Sequence, residues 1–275
     1  MAQIIAVVNQ KGGVGKTTTA VNLGAYLAQL GKFVLLVDID PQANATSGLG
    51  IDHRQLPQGV YHSLIGATPL REVLVGTRQP GYRVAPATED LAGARVELVS
   101  MENRERKLAD ALLEVRNDYD YILIDCPPSL DLLTVNGLVA AESVLIPIQA
   151  EYYALEGLGQ LLGTIGLVQE RFNPNLQVLG GVVTMHDPRN TLSRQVVAEL
   201  ATHFPHRIFT AMIPRNVRLS ESPSHGLAIL HYDPRSKGAR AYEELARELD
   251  AAATWQPPAA AGSGVEAASG EPFAV

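Results

Sequence analysis

Gln10-Lys11-Gly12-Gly13-Val14-Gly15-Lys16-Thr17-Thr18 decides the fold. The stretch follows a short β-branched run, Ile4 to Val8, and leads into Thr18 to Leu30, where apolar residues recur at helical spacing until Gly31. Strand, glycine-rich loop and helix, in that order, are the setting of a phosphate-binding loop. Gly12, Gly13 and Gly15 have no Cβ, so the backbone can turn through positive φ and aim its N–H groups at phosphate oxygens. The helix that follows presents its N-terminus to the same anion. Lys16 is spaced to reach the β- and γ-phosphates and the Thr17 hydroxyl to ligate Mg²⁺. A glycine expected at position 10 in the common P-loop pattern is replaced by Gln10, with Lys11 beside it.

Downstream, acids leave the ends of apolar runs. Phe33 to Val37 reads as a strand that ends in Asp38-Ile39-Asp40-Pro41, and open parallel sheets place their ligands at the carboxyl ends of strands. Asp40 can hold a water for attack on a γ-phosphate, or a Mg²⁺-bound water; Asp38 is either part of this chemistry or structural at the strand edge. Tyr121 to Ile124 is a second buried run, delivering Asp125 toward a Mg²⁺ sphere in a Walker B arrangement. Cys126, next to it, reads as a small apolar filler.

Further strands are expected at Tyr82 to Pro86, Val144 to Ile148, Val178 to Thr184 and Ile208 to Ile213. Helices are expected over Glu102 to Asp118, after the segment Gln149 to Gly157 as far as about Arg171, and over Ser236 to Ala253. Strands alternating with helices mean right-handed βαβ units: a single α/β P-loop NTPase domain over 1–253, a mostly parallel twisted sheet with helices on both faces. Residues 48–80 read as irregular, and His53, Arg54 and His62 lack metal-ligand spacing. Residues 254–275, rich in Pro, Ala, Ser and Gly, read as a disordered tail.

The 275 residues are 46% hydrophobic, ample for a core, and no apolar run approaches the ~18 residues of a membrane span. The chain enters its first strand with no basic leader, so no signal peptide is expected, and Cys126 as the one cysteine excludes internal disulfides. A cytoplasmic protein follows. Net charge is −7, yet between Asp187 and Arg240 eight basic residues face four acids. Such a segment binds polyanions or merely solvates helix faces.

Lys11 to Thr18 resembles the deviant Walker A motif of the ParA/MinD family, and Val37 to Thr46 and Asp125-Cys126-Pro127-Pro128 resemble that family's second signature and Walker B segment; together they point to its short, Soj-like chromosome-partitioning members. The resemblance implies an ATPase that uses Mg²⁺, with ATP held by Lys11, Gly12, Gly13, Val14, Gly15, Lys16, Thr17 and Thr18. It implies that Lys11 reaches across a homodimer to the partner's nucleotide, that Asp40 is the hydrolysis residue, and that Thr17, Asp40 and Asp125 form the metal side. Pro214 and Asn216 would frame the adenine, an Asn amide offering the donor and acceptor that its edge requires. Glu151 to Glu156 resembles a dimer-facing segment, where Tyr152 and Tyr153 pack at the interface or in the core. Arg215 and Arg218, three apart in the basic third, are candidates for DNA phosphates. The family implies non-sequence-specific duplex binding by the ATP dimer, release through a ParB-like centromere-binding partner, and a nucleoid-associated location. A membrane-binding MinD type would end in a basic amphipathic helix, whereas Glu243, Glu244, Glu248 and Asp250 mark the last one here. An iron–sulfur carrier would need two cysteines. No room is left before the first strand for a helix-turn-helix domain, and a metabolic ligase of the same fold stays open.

Overall fold

The β-branched and aliphatic runs form a sheet because each is short, apolar on both faces and bounded by turns. A computed structural model describes residues 1–151 and 154–254. Its strands are β1 (Gln3–Val7), β2 (Val34–Asp38), β3 (Val75–Gly76), β4 (Tyr82–Ala85), β5 (Tyr121–Asp125), β6 (Ser143–Gln149) and β7 (Gln177–Thr184), in the order β3-β4-β2-β5-β1-β6-β7. All neighbours are parallel except β3 against β4. The helices are α1 (Lys16–Gln29), α2 (Asn44–Gly48), α3 (Val60–Leu64), α4 (Leu70–Val73), α5 (Leu91–Glu97), α6 (Lys107–Leu112), α7 (Leu132–Ala140), α8 (Ala154–Arg171), α9 (Thr191–His203), α10 (Val217–Glu221), α11 (Ile229–Tyr232) and α12 (Lys237–Thr254).

The period-2 geometry of strands divides the core. Ile4, Ala6, Leu35, Val37, Ile122 and Ile124 face one layer, with the helices from α3 to α9. Ile5, Val7, Val34, Leu36, Tyr121 and Leu123 face the other, where α1 and α12 pack. The Thr19 hydroxyl and Tyr242 OH, 3.2 Å apart, join those two helices. Strands buried on both sides explain why the runs read as continuous rather than alternating. The carboxyl ends of β1, β2 and β5 emerge side by side, with Asp38 and Asp125 as register partners.

Three expectations change. Ile208 to Ile213 does not form a regular strand: Ile208 makes an isolated bridge to Gly181 of β7, and just beyond both segments Pro214 makes another to His186. Glu248 on α12 explains the gap, since its carboxylate accepts from the N–H groups of Thr210 (2.9 Å) and Ala211 (3.0 Å). The helix expected over Glu102 to Asp118 is shortened to a 3₁₀ turn (Arg104–Arg106) and α6, because Asn103 sits at φ 51° and the chain beyond Leu112 tightens into turns, with Val115 N–H donating to Leu112 O. Residues 48–80, expected to be irregular, hold α3, α4 and the antiparallel edge strand β3. Of the tail expected over 254–275, Thr254 is the last residue of α12 and the rest, like Tyr152 and Tyr153, lies outside the described residues.

Candidate nucleotide-binding site

The loop between β1 and α1 is built as its glycines require. Gly13 (φ 76°) and Gly15 (φ 89°) are left-handed, where a Cβ would be strained. A Cβ on Gly12 or Gly13 would meet nothing within 4 Å, so the loop borders open space. Val14 turns its side chain into the core, and its carbonyl accepts from the Thr184 hydroxyl at the end of β7 (2.8 Å). Val14 therefore offers the site its backbone alone. Among the described residues, no backbone N–H from Gly12 to Thr18 donates to another protein group, and α1 has neither a side-chain cap nor an acid in its first turn. This array of N–H groups at a helix N-terminus fits a phosphate chain.

Lys16 is 7% exposed, with its Nζ donating to Lys11 O at 3.3 Å, so the side chain folds back over the loop. Burial lowers its pKa, opposed by the charges of Asp125 and Asp40. Asp125 is fully buried and neither carboxylate oxygen has a hydrogen-bond partner. Burial pushes its carboxyl well above the usual range, and Asp38 adds to that; the nearby Thr17 hydroxyl works the other way without completing a hydrogen bond. An orphaned buried carboxylate beside a threonine hydroxyl and a lysine is a donor set suited to a hydrated Mg²⁺ next to phosphates. No group of three or more His, Cys, Asp or Glu among the described residues could hold a metal ion.

The structure resolves the two roles open to Asp38. Its Oδ2 accepts from Thr46 N–H (2.9 Å) and the Thr46 hydroxyl (2.7 Å), and its Oδ1 from Asp40 N–H (3.2 Å). Burial raises its pKa to about 6 against these three bonds. Asp38 thus shapes the turn that carries Asp40. Asp40 is 7% exposed, ties its own turn by accepting from Gln42 N–H (3.0 Å), and lines the cavity over the phosphate loop. Cys126 is buried in the core with its thiol pKa raised by burial, in keeping with a filler.

That cavity, of about 440 Å³, is lined by Gly12, Gly13, Gly15, Lys16, Thr17 and Thr18 together with Asp40. A second chamber of about 500 Å³ shares Gly15, Thr18, Met185 and Pro223 with it, and Pro214, Arg215 and Asn216 line its wall. Asn216 caps α10 by accepting from Arg218 N–H (2.8 Å). Sequence reasoning missed Met185, which lines both chambers and sits at φ 52°, a conformation unusual for a long side chain. It also missed Asn22, Asn44, Ser222 and Pro223; only the Asn44-x-Thr46 stretch carried a signal, as part of the second signature.

Lys11 and the two arginines stand apart. Lys11 lies outside the walls of both chambers, with Nζ 3.2 Å from Glu151 Oε2. Arg215 approaches the other oxygen of Glu151 at 3.8 Å. Arg218 pairs with Glu221 (2.9 Å) and Asp233 (3.5 Å). Exposed Arg235, Lys237 and Arg240, just beyond Asp233, have no ion-pair partner among the described residues.

Against known proteins, a family model described as an AAA domain matches residues 2–178. The chain is 55% identical over 251 residues to the sporulation initiation inhibitor protein Soj of Bacillus subtilis, covering 91% of this chain and 99% of that one. It is 53% identical over 249 residues to the chromosome partitioning protein ParA of Myxococcus xanthus, covering 90% and 88%. Among solved structures it resembles a cobyrinic acid a,c-diamide synthase from Mycobacterium smegmatis with bound ADP and magnesium (42% identity, TM-score 0.80, covering 90% and 93%). It also resembles the cell division ATPase MinD of Pyrococcus furiosus (27% identity, TM-score 0.74, covering 92% and 100%).

Proposed function

This chain belongs to the ParA/MinD family of deviant Walker A ATPases, alongside the Soj and ParA chromosome-partitioning proteins, and on that premise we propose that it is a Mg²⁺-dependent DNA-partitioning ATPase whose ATP-bound homodimer binds duplex DNA without sequence preference. A ParB-like centromere-binding partner stimulates hydrolysis and so releases the DNA. The protein works in the cytoplasm, on the nucleoid. No helix among the described residues is long and apolar enough to cross a membrane.

The observation that carries this reading is the division of labour between the two lysines. Lys16 is buried over the phosphate loop, whereas Lys11 is 41% exposed in its side chain and tied to Glu151 outside the cavity. A cation not needed by its own loop is available to a second protomer.

In the reaction the N–H groups of Gly12 to Thr18 and the Lys16 ammonium bind the β- and γ-phosphates with charge-assisted hydrogen bonds. The Thr17 hydroxyl, with Asp125 acting through water, would hold a magnesium ion, which would supply neutralisation of the charge that develops on the transferred phosphoryl group. Asp40 accepts a hydrogen bond from the attacking water and orients it in line with the bond that breaks. Pro214 and Asn216 hold the adenine in the second chamber, the Asn216 amide donating to the ring while its oxygen keeps the α10 cap.

For DNA, Arg215 and Arg218 contact phosphates once freed from Glu151 and from Glu221 and Asp233. Because each must leave a carboxylate, substitution should lower the salt slope by less than about one ion per arginine. Electrophoretic shifts with unrelated duplexes across a salt series, in ATP and in ADP, test this. Binding should require ATP, and Arg215→Glu and Arg218→Glu should weaken it equally for all sequences. Sequence-selective binding, or indifference to both substitutions, would refute the surface. ATP turnover unaffected by DNA at every salt would instead favour a metabolic activity of the kind that names the Mycobacterium smegmatis relative.

A further inference from the structure

The loop that joins β5 to α7 carries the metal-side Asp125 at one end and Pro128, a wall of the nucleotide cavity, in its middle. Its backbone does little to fix it. Pro127 and Pro128 have no N–H, and among the described residues the N–H groups of Ser129, Leu130 and Asp131 find no protein acceptor.

Side chains hold it instead. Asp131 caps α7 through Oδ1, accepting from Leu133 N–H (3.1 Å) and Thr134 N–H (3.4 Å). Its Oδ2 accepts from the Ser129 hydroxyl (2.9 Å), and the Thr134 hydroxyl donates back to Ser129 O at 2.5 Å. The remaining anchor comes from elsewhere in the fold. Arg95, on α5, places Nε 2.7 Å from Asp131 Oδ2 and donates from Nη2 to the Ser129 hydroxyl at 3.1 Å.

We propose that Arg95 is a positioning residue of the nucleotide site: its guanidinium fixes Ser129 and Asp131 together, and through them the Pro128 wall and the exit of β5. This rests on the nucleotide reading of the cavity. The fork geometry matters, since one rigid planar group meets two acceptors on the same loop in a fixed orientation, which an ammonium on a flexible stem does not impose. The helix that carries it buries Leu91 and Ala94 in the core and leaves its other face open to solvent; Val96 is 77% exposed and Val99, in the turn that follows, 55%. A movement of α5 therefore reaches the cavity through Arg95 without touching the phosphate loop.

The test is release of a fluorescent ADP analogue followed by stopped flow, with thermal midpoints measured on the same preparations. Arg95→Ala should speed release about fivefold, the effect of removing roughly 1 kcal/mol of anchoring, with little change in the nucleotide-free midpoint. Arg95→Lys, which keeps the charge beside Asp131 and loses the rigid fork, should recover part of the difference. In the Ser129→Ala background, Arg95→Ala should have a smaller effect than alone. Release at the wild-type rate in Arg95→Ala, or a lowered midpoint with an unchanged rate, would overturn the positioning role. If the wild type fails to bind the analogue at all, the nucleotide reading itself falls, and the two failures are thereby told apart.

Discussion

Asp38→Asn should reverse the sign of its effect on stability between pH 3 and pH 7. Burial raises the Asp38 carboxyl from 3.8 to about 6 in the folded protein. Below about pH 3 both states hold the proton. As pH rises the unfolded chain loses its proton first, the folded state binds more protons, and stability falls until the folded carboxyl also ionises. A shift of about two units at 1.36 kcal/mol each makes the loss about 3 kcal/mol, complete above pH 6. The asparagine has no such loss but has its own cost. Its oxygen can keep both Thr46 contacts only by turning its amide toward Asp40 N–H, which replaces a hydrogen bond with two opposed donors, about 1–3 kcal/mol.

The variant should therefore be less stable than wild type by about 1–3 kcal/mol at pH 3, and equal or more stable by up to about 2 kcal/mol at pH 7. The difference between the two pH values, about 3 kcal/mol, does not depend on the hydrogen-bond cost. Relief of the neighbouring Asp125 acts in the same direction. Urea unfolding of both proteins at the two pH values measures it, and thermal midpoints should diverge by roughly 6–12 °C across the range. A difference that stays constant with pH would refute the account of Asp38 as a buried, strained turn carboxylate. Loss of ATP hydrolysis with stability unchanged would make it a reactive group instead.

Lys16→Ala should abolish measurable ATP binding in calorimetry, because it removes the one ammonium folded over the phosphate loop; retained affinity would overturn the loop assignment. Asp40→Ala should bind ATP normally and stop turning it over, accumulating an ATP dimer in size-exclusion chromatography, whereas wild-type turnover would move the water-positioning role elsewhere. Lys11→Ala should keep nucleotide binding by the monomer and lose the ATP-dependent dimer in light scattering; a dimer of normal affinity would remove its action across the interface.

The sheet was legible because its strands are buried on both faces, so Ile4 to Val8, Val34 to Val37 and Tyr121 to Ile124 stand out without any partner being known. The turn of the glycine loop and the place of Asp125 were legible for a different reason: both are local, since glycine spacing dictates the backbone and a strand end dictates where an acid emerges. The misread strand at Ile208 to Ile213 shows the limit of that logic. Its apolar pattern is sound, but the pairing is cut by Glu248, far along the chain, and nothing in the six residues encodes a carboxylate that captures their N–H groups.

Asp38 and Met185 carry the same lesson into the site. An acid at a strand end is equally suited to a metal or to a turn, and the choice is made by Thr46, in a helix of five residues too short to show periodicity. Met185 takes a left-handed backbone that residue type argues against, so only the assembled end of β7, where Thr184 grips the phosphate loop, accounts for its place between the two chambers. Residues that act alone on a ligand are thus readable from spacing, while those that position others are fixed by contacts between segments distant in sequence. Arg95 belongs to the second kind: an arginine on a short exposed helix has no mark of function until Ser129 and Asp131 are seen beneath it.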